Sequence, residues 1–283
     1  MILDFHTHIF PPAFRQARER FFPGEPGFES LYRSPSSGLI GAEDLLREMD
    51  RSGVERSVVF GFPWERSENY RRHNDYVLDS VHRYPDRLTG LSCFSPLSAG
   101  AVEEADRGFR EGLSGVGEVA LYHEPWEERC FGRLKEIAGL CGSKNGVLLL
   151  HTNEPVGHAY PGKTAAGLGG FYRLLKEHPS TRFVLAHWGG GLFFYALMKK
   201  EVRDVLRNTW FDTAASPFLY RPEVYRIAGE IIGFERILLG SDYPLISPLR
   251  YFSEMEAAGI PEGDRLRILG ENGAALLKVT SDK

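Results

Sequence analysis

Eight short apolar runs, each leading toward a segment of helical periodicity, constrain this 283-residue chain more than any other feature. The runs lie within 1–10 and at 54–62, 88–94, 115–122, 147–152, 182–187, 209–213 and 236–241. Helical patterns occupy 42–52, 69–84, 99–111, 127–144, 171–178, 192–206, 223–232 and 249–258, with a last helical stretch at 264–277. The runs are too uniformly apolar to have a wet face, which marks strands of a parallel sheet covered on both sides. Eight such units predict an α/β fold, a single (β/α)8 TIM barrel over residues 1–283, with a doubly wound open sheet as the competing topology. The segment 11–41 is too long for a plain connection. It carries Phe14, Phe21, Phe22, Phe28 and Tyr32, so it reads as an ordered lid rather than disorder, with at most a short helix near 14–22.

Active sites of barrels sit at the C-terminal ends of the strands, so the residues that close each apolar run carry the functional argument. His6 and His8 are two apart on the first strand and share a face. The strand ends also offer Glu118 from the fourth run, His151 from the fifth, His187 from the sixth and Asp242 from the eighth. A single strand-end histidine can cap a backbone group, and an aspartate before Tyr243-Pro244 can open a turn. Six such residues on one mouth instead predict a divalent-metal site. Imidazole nitrogens and carboxylates suit zinc, and three or four ligands with an open position make a catalytic site.

The motifs Asp4-Phe5-His6-Thr7-His8, Leu150-His151, Leu185-Ala186-His187-Trp188-Gly189-Gly190-Gly191, Gly240-Ser241-Asp242-Tyr243-Pro244 and Glu271-Asn272-Gly273-Ala274-Ala275 resemble the amidohydrolase superfamily. The similarity spans the chain and is greatest to the amidohydrolase-related branch that includes aminocarboxymuconate-semialdehyde decarboxylase. The resemblance implies that His6, His8, His151 and Asp242 bind a divalent metal, usually zinc, and that His187 stands beside it as an acid/base group. One stretch departs from that branch. Gly117-Glu118 is similar to a segment of TatD-like hydrolases in which the glutamate is a metal ligand, either bridging two ions or binding one. That likeness favours hydrolysis: a metal-activated water attacking a small carbonyl substrate such as an ester, lactone or amide. In this scheme zinc lowers the pKa of bound water to about 7, Asp242 takes its proton, and His187 polarises the carbonyl or protonates the leaving group. The alternatives are a non-oxidative decarboxylase or hydratase of an aromatic or enol acid on the same site, and a metal-binding protein without catalysis.

The mouth supplies further candidates for substrate contacts. His123 and His158 follow the fourth and fifth strands, Tyr160 lies in the loop 157–163, and Trp188 either walls the pocket or, the favoured reading, packs outward. His73, His82 and His178 read as solvated-face or helix-capping residues, and Asn272 as a brace. Net charge of -4 without a basic run leaves no electrostatic footprint for nucleic acid, which disfavours TatD-like nuclease activity and points to a small-molecule substrate. No apolar run is long enough to span a membrane. Three cysteines without C-x-x-C spacing suggest neither a disulfide framework nor a thiolate site, so a cytoplasmic setting is expected; a homodimer is compatible with the sequence.

Overall fold

The structure is a computed structural model that describes residues 1–122, 126–165 and 167–280. Its strands are β1 (Leu3–His8), β2 (Arg56–Phe60), β3 (Leu88–Gly90), β4 (Gly115–Val119), β5 (Val147–Leu150), β6 (Arg182–Leu185), β7 (Thr209–Asp212) and β8 (Ile237–Leu238). Every pairing is parallel and sequential, β1 to β3 in one ladder and β4 to β8 in another. Two junctions join the ladders. Ser92 pairs with Val116 beyond β3, and Thr7 with Tyr243 beyond β8. Around the second junction Phe5 donates to Leu239 O (2.7 Å), Asp242 to His6 O (2.9 Å) and His8 to Tyr243 O (2.8 Å). Strand eight therefore returns to strand one, as the barrel expectation requires and an open sheet does not.

Alternation along the strands separates two cores. On β5, Val147 and Leu149 join the cluster inside the ring, with Phe5, Phe60, Val184 and Leu238, whereas Leu148 and Leu150 pack in the layer beneath the helices. His151 is the next inward position after Leu149. On β1 simple alternation would oppose Leu3 and Phe5 to His6 and His8, yet a register shift between Asp4 and Thr7 intervenes. A second shift separates Val116 from Val119 on β4, where Glu118 stands. Such irregularities re-aim side chains, and here they bring polar residues to the upper end of an apolar interior.

Three expected elements differ. The lid contains Pro12–Gln16, a 3-10 turn at Arg18–Phe21 and an additional helix, Pro26–Tyr32. Phe10, Phe14 and Phe28 are buried against Phe62 and Trp64. The expected helix 192–206 is broken into a kinked turn through Leu197, a helix Lys200–Val205 and a 3-10 turn. Gly189, Gly190 and Gly191 all have positive φ, and a Cβ on Gly190 would lie 2.2 Å from Asn153 O, so the backbone there leaves the helical region. The last helical stretch is interrupted by a π-turn at Arg267–Glu271. Asn272 after it donates to Phe234 O and Ile237 O (both 2.8 Å), which braces β8.

Candidate active site and metal centre

The upper ends of the strands bring His6, His8, Glu118, His151, His187 and Asp242 into one cluster, buried except for Asp242, which is partly exposed. His6 Nε2 lies 3.6 Å from Glu118 Oε2 and 3.7 Å from Asp242 Oδ1. His8 Nε2 lies 3.8 Å and 3.4 Å from the same two atoms. The other Glu118 oxygen, Oε1, faces His151 Nδ1 (2.8 Å) and His187 Nε2 (3.3 Å). Glu118 thus stands between two donor groups, His6 with His8 on one side and His151 with His187 on the other.

The far nitrogens fix the rings. His8 Nδ1 donates to Gly61 O (3.1 Å), His151 Nε2 to Gly162 O (3.0 Å) and His187 Nδ1 to Ala214 O (2.9 Å). His6 Nδ1 meets a carboxylate that the sequence reading passed over, Asp212 Oδ2 at 2.8 Å. Asp212 is fully buried at the end of β7, and its other oxygen accepts from the amides of His187 (2.9 Å) and Ala214 (3.0 Å). The signal was present: Trp210-Phe211-Asp212 closes an apolar run with an acid, as the eighth strand does. His187 and Trp188 have φ of 55° and 58°, uncommon for bulky side chains, and the Asp212 contact holds the His187 amide in that conformation.

The donor set fits a divalent cation. His6 Nε2 is buried without a hydrogen-bond partner among the described residues, while its Nδ1 is anchored to a carboxylate, the arrangement that turns a histidine into a metal ligand. Around an ion bound at about 2.0–2.2 Å, neighbouring donors lie roughly 3–3.6 Å apart, close to the separations of His6, His8, Glu118 and Asp242. The electrostatics agree. Burial pushes the Glu118 carboxyl up, yet His151 and His6 hold it well below the usual range. Asp242 is likewise raised by burial but lowered to about 2 by the His8 hydrogen bond and the charges of His6 and His187. Against burial, Asp212 and Glu118 push His6 well above its usual value, and Glu118 raises His187 to about 9. A site whose buried acids hold protons on histidines is one that binds positive charge.

The expected substrate contacts fare differently. His123 lies outside the described residues. His158 is exposed, and Tyr160 donates to Glu154 Oε2 (3.0 Å), with Lys163 on the other Glu154 oxygen (2.8 Å). This loop reaches the cluster through Gly162 O rather than through those side chains. Trp188 does not wall the pocket: it is fully buried, donates to Ser216 Oγ (3.0 Å) and stands edge-on to Tyr225. His73 is no solvated-face residue either. It is buried, with Nδ1 accepting from Trp64 Nε1 (2.8 Å) and Nε2 donating to Ile9 O (2.6 Å).

The amidohydrolase family model matches residues 3–279, and the chain belongs to that family of enzymes. It is 22% identical to a 6-methylsalicylic acid decarboxylase of Penicillium expansum, over 97% of this chain and 94% of the relative. It is 24% identical to a gamma-resorcylate decarboxylase of Rhizobium sp. (strain MTP-10005), over 96% of each. A solved dihydroxybenzoic acid decarboxylase of Polaromonas sp. JS666, with bound manganese and 2-nitroresorcinol, superposes with a TM-score of 0.70 at 19% identity, covering 98% of this chain and 96% of the other. These relatives overturn the expectation of hydrolysis. Glu118 does stand among the candidate ligands, but a carboxylate there does not by itself select water as the reactant, and both curated relatives cleave a carbon–carbon bond.

Proposed function

We propose that this protein is a metal-dependent, non-oxidative decarboxylase of a hydroxylated aromatic acid. The observation that carries the reading is the end-to-end match to two curated decarboxylases of such acids. His6, His8, Glu118 and Asp242 would hold a divalent cation, with His151 Nδ1 on the far oxygen of Glu118 as a further donor or as the ligand of a second ion. Mixed nitrogen and oxygen donors suit both zinc and the manganese of the Polaromonas enzyme. When bound, the cation supplies the positive charge that orients an anionic substrate.

The chain's own groups supply the proton. His187 Nε2 faces the cluster, 3.3 Å from Glu118 Oε1, and its Nδ1 is committed to Ala214 O, which leaves Nε2 as the nitrogen that passes a proton. A proton from Nε2 to the ring carbon bearing the carboxylate interrupts aromaticity. The bond to that carboxylate then breaks, its electron pair restores the ring, and carbon dioxide leaves. Asp242 stays ionised beside His8 and His6, which keeps the counter-charge in place. Among the described residues no helix is long and apolar enough to cross a membrane, and Cys93, Cys130 and Cys141 are buried.

The test is carbon dioxide release from a panel of hydroxylated benzoic acids by protein loaded with zinc or manganese, with bound metal counted in parallel. Release that is lost in His187→Asn at unchanged metal content is expected. Turnover of esters or lactones with no release from any aromatic acid would overturn the reading.

A further inference from the structure

Two tyrosines from different parts of the chain converge beside the cluster. Tyr122 follows β4, and its ring stacks on Phe62 (5.6 Å, 19°) and meets the His151 ring edge-on (5.3 Å). Tyr32 ends the lid helix Pro26–Tyr32 and packs on Phe28 (4.9 Å), Phe10 (5.3 Å) and, edge-on, the same Phe62 ring (6.0 Å). The lid helix seats closely here. A Cβ on Gly27 would come within 3.2 Å of the Tyr122 ring and 3.4 Å of Phe62. The series Tyr32, Phe62, Tyr122, His151 therefore forms one continuous face, and it ends on the histidine that touches Glu118 and His187.

Both rings are partly buried, neither hydroxyl has a hydrogen-bond partner among the described residues, and neither oxygen is sealed from solvent as those of Tyr70 and Tyr225 are, so both remain accessible to a ligand. The Tyr32 ring packs in the lid, while its backbone carbonyl accepts from Arg18 (3.3 Å), so the hydroxyl is the part of the residue that the fold does not use. A tyrosine hydroxyl is protonated at neutral pH, so each can donate a hydrogen bond. Two donors without acceptors on an aromatic face match a flat ring that carries oxygen substituents. The cations near this end do not compete for that role. Arg18 is committed to the carbonyls of Tyr32, Ser34 and Ser37, and Lys163 to Glu154.

We propose that the Tyr32 and Tyr122 hydroxyls are substrate-binding groups that donate to ring oxygens of the aromatic acid, with Phe62 between them as the apolar wall. The assignment rests on the decarboxylase reading and makes the lid part of the site rather than a cover over it. It is tested with Tyr32→Phe and Tyr122→Phe, which keep the packing and remove only the hydroxyls. Binding of 2-nitroresorcinol and of 2-nitrophenol, which lacks one ring hydroxyl, is titrated against metal-loaded wild type and variants. At least one variant should weaken 2-nitroresorcinol about fivefold or more, the size of one lost neutral hydrogen bond, and 2-nitrophenol by a clearly smaller factor, at wild-type metal content. Equal losses for both ligands, or no loss above twofold in either variant, overturn the assignment while leaving carbon dioxide release by the wild type to stand. A wild type that neither releases carbon dioxide nor binds either ligand overturns the decarboxylase reading and this assignment with it.

Discussion

At the scale of single residues, Asp212 and His73 show how buried polar groups are assigned their roles by their partners. Asp212 divides its two oxygens between two tasks: Oδ2 orients His6, and Oδ1 holds the amides of His187 and Ala214. Asparagine has one acceptor oxygen, so it can perform one task or the other. Asp212→Asn is expected to weaken metal affinity by roughly 10- to 100-fold in a chelator competition, with the fold retained by circular dichroism. Affinity equal to wild type would show that Asp212 only braces the backbone. His73 is burial-dominated. Its pKa is pushed down to about 3, with the Ile9 hydrogen bond opposing the shift. The unfolded chain takes up a proton near pH 6.5 that the folded chain refuses, so stability is fully present above that pH. It is lost as pH falls from about 6.5 toward 3, by up to roughly 5 kcal/mol. The urea midpoint of wild type should fall across that window more steeply than that of His73→Gln; parallel profiles would refute the assignment.

At the scale of elements, the turn after β6 decides where His187 stands. The residues Trp188 to Gly191 all lie in the left-handed region, and the chain reaches the next helix only at Lys200. Gly190 has no room for a side chain, because the clash is with the Asn153 carbonyl, which belongs to the loop after β5. Gly191 shares the positive φ, yet a Cβ there would meet only the Phe194 ring at 3.7 Å. Gly190→Ala is therefore expected to lower the melting temperature by roughly 6–10 °C, and Gly191→Ala by only about 2–3 °C. Equal shifts would mean that backbone strain rather than the close approach of two loops fixes this turn. The irregular pairings on β1 and β4 act in the same way, since they turn His6, His8 and Glu118 toward the cluster at the upper end of an apolar ring.

At the scale of the molecule, two attachments complete the site. Asp4 accepts from the Ser241 amide (2.9 Å) and hydroxyl and from the His6 amide (3.2 Å), which ties β1 to the strand that carries Asp242. Glu25 is buried and accepts from the amides of Glu65 (2.8 Å) and Arg66 (2.9 Å) and from Asn69 Nδ2 (2.9 Å), which fixes the lid to the segment after β2. Glu25→Ala leaves three donors without their acceptor and should loosen the lid by roughly 2–3 kcal/mol. The expected readout is faster amide exchange over residues 26–32 and a raised KM, with metal content unchanged; lid exchange at the wild-type rate would show that aromatic packing alone holds it.

The sequence by itself determined the eight β/α units and the six candidate ligand and acid/base residues, while the pairing of strand eight with strand one decided for the barrel over the open sheet. Apolar periodicity and the residue that ends each run are local properties, readable one strand at a time. Pairing geometry, burial and turn conformation depend on neighbours distant in the chain, and only the tertiary structure decided these. It alone placed Asp212 behind His6, some two hundred residues away in sequence, and buried His73 under the lid. It supplied the means by which Trp188 reaches the packing layer that the sequence favoured, the left-handed turn at 187–191. Glu118 marks the boundary. Its position among the strand ends was legible as a donor, but its chemistry was misread as hydrolytic, because a ligand's identity fixes where charge sits and not which bond of the substrate is brought to it.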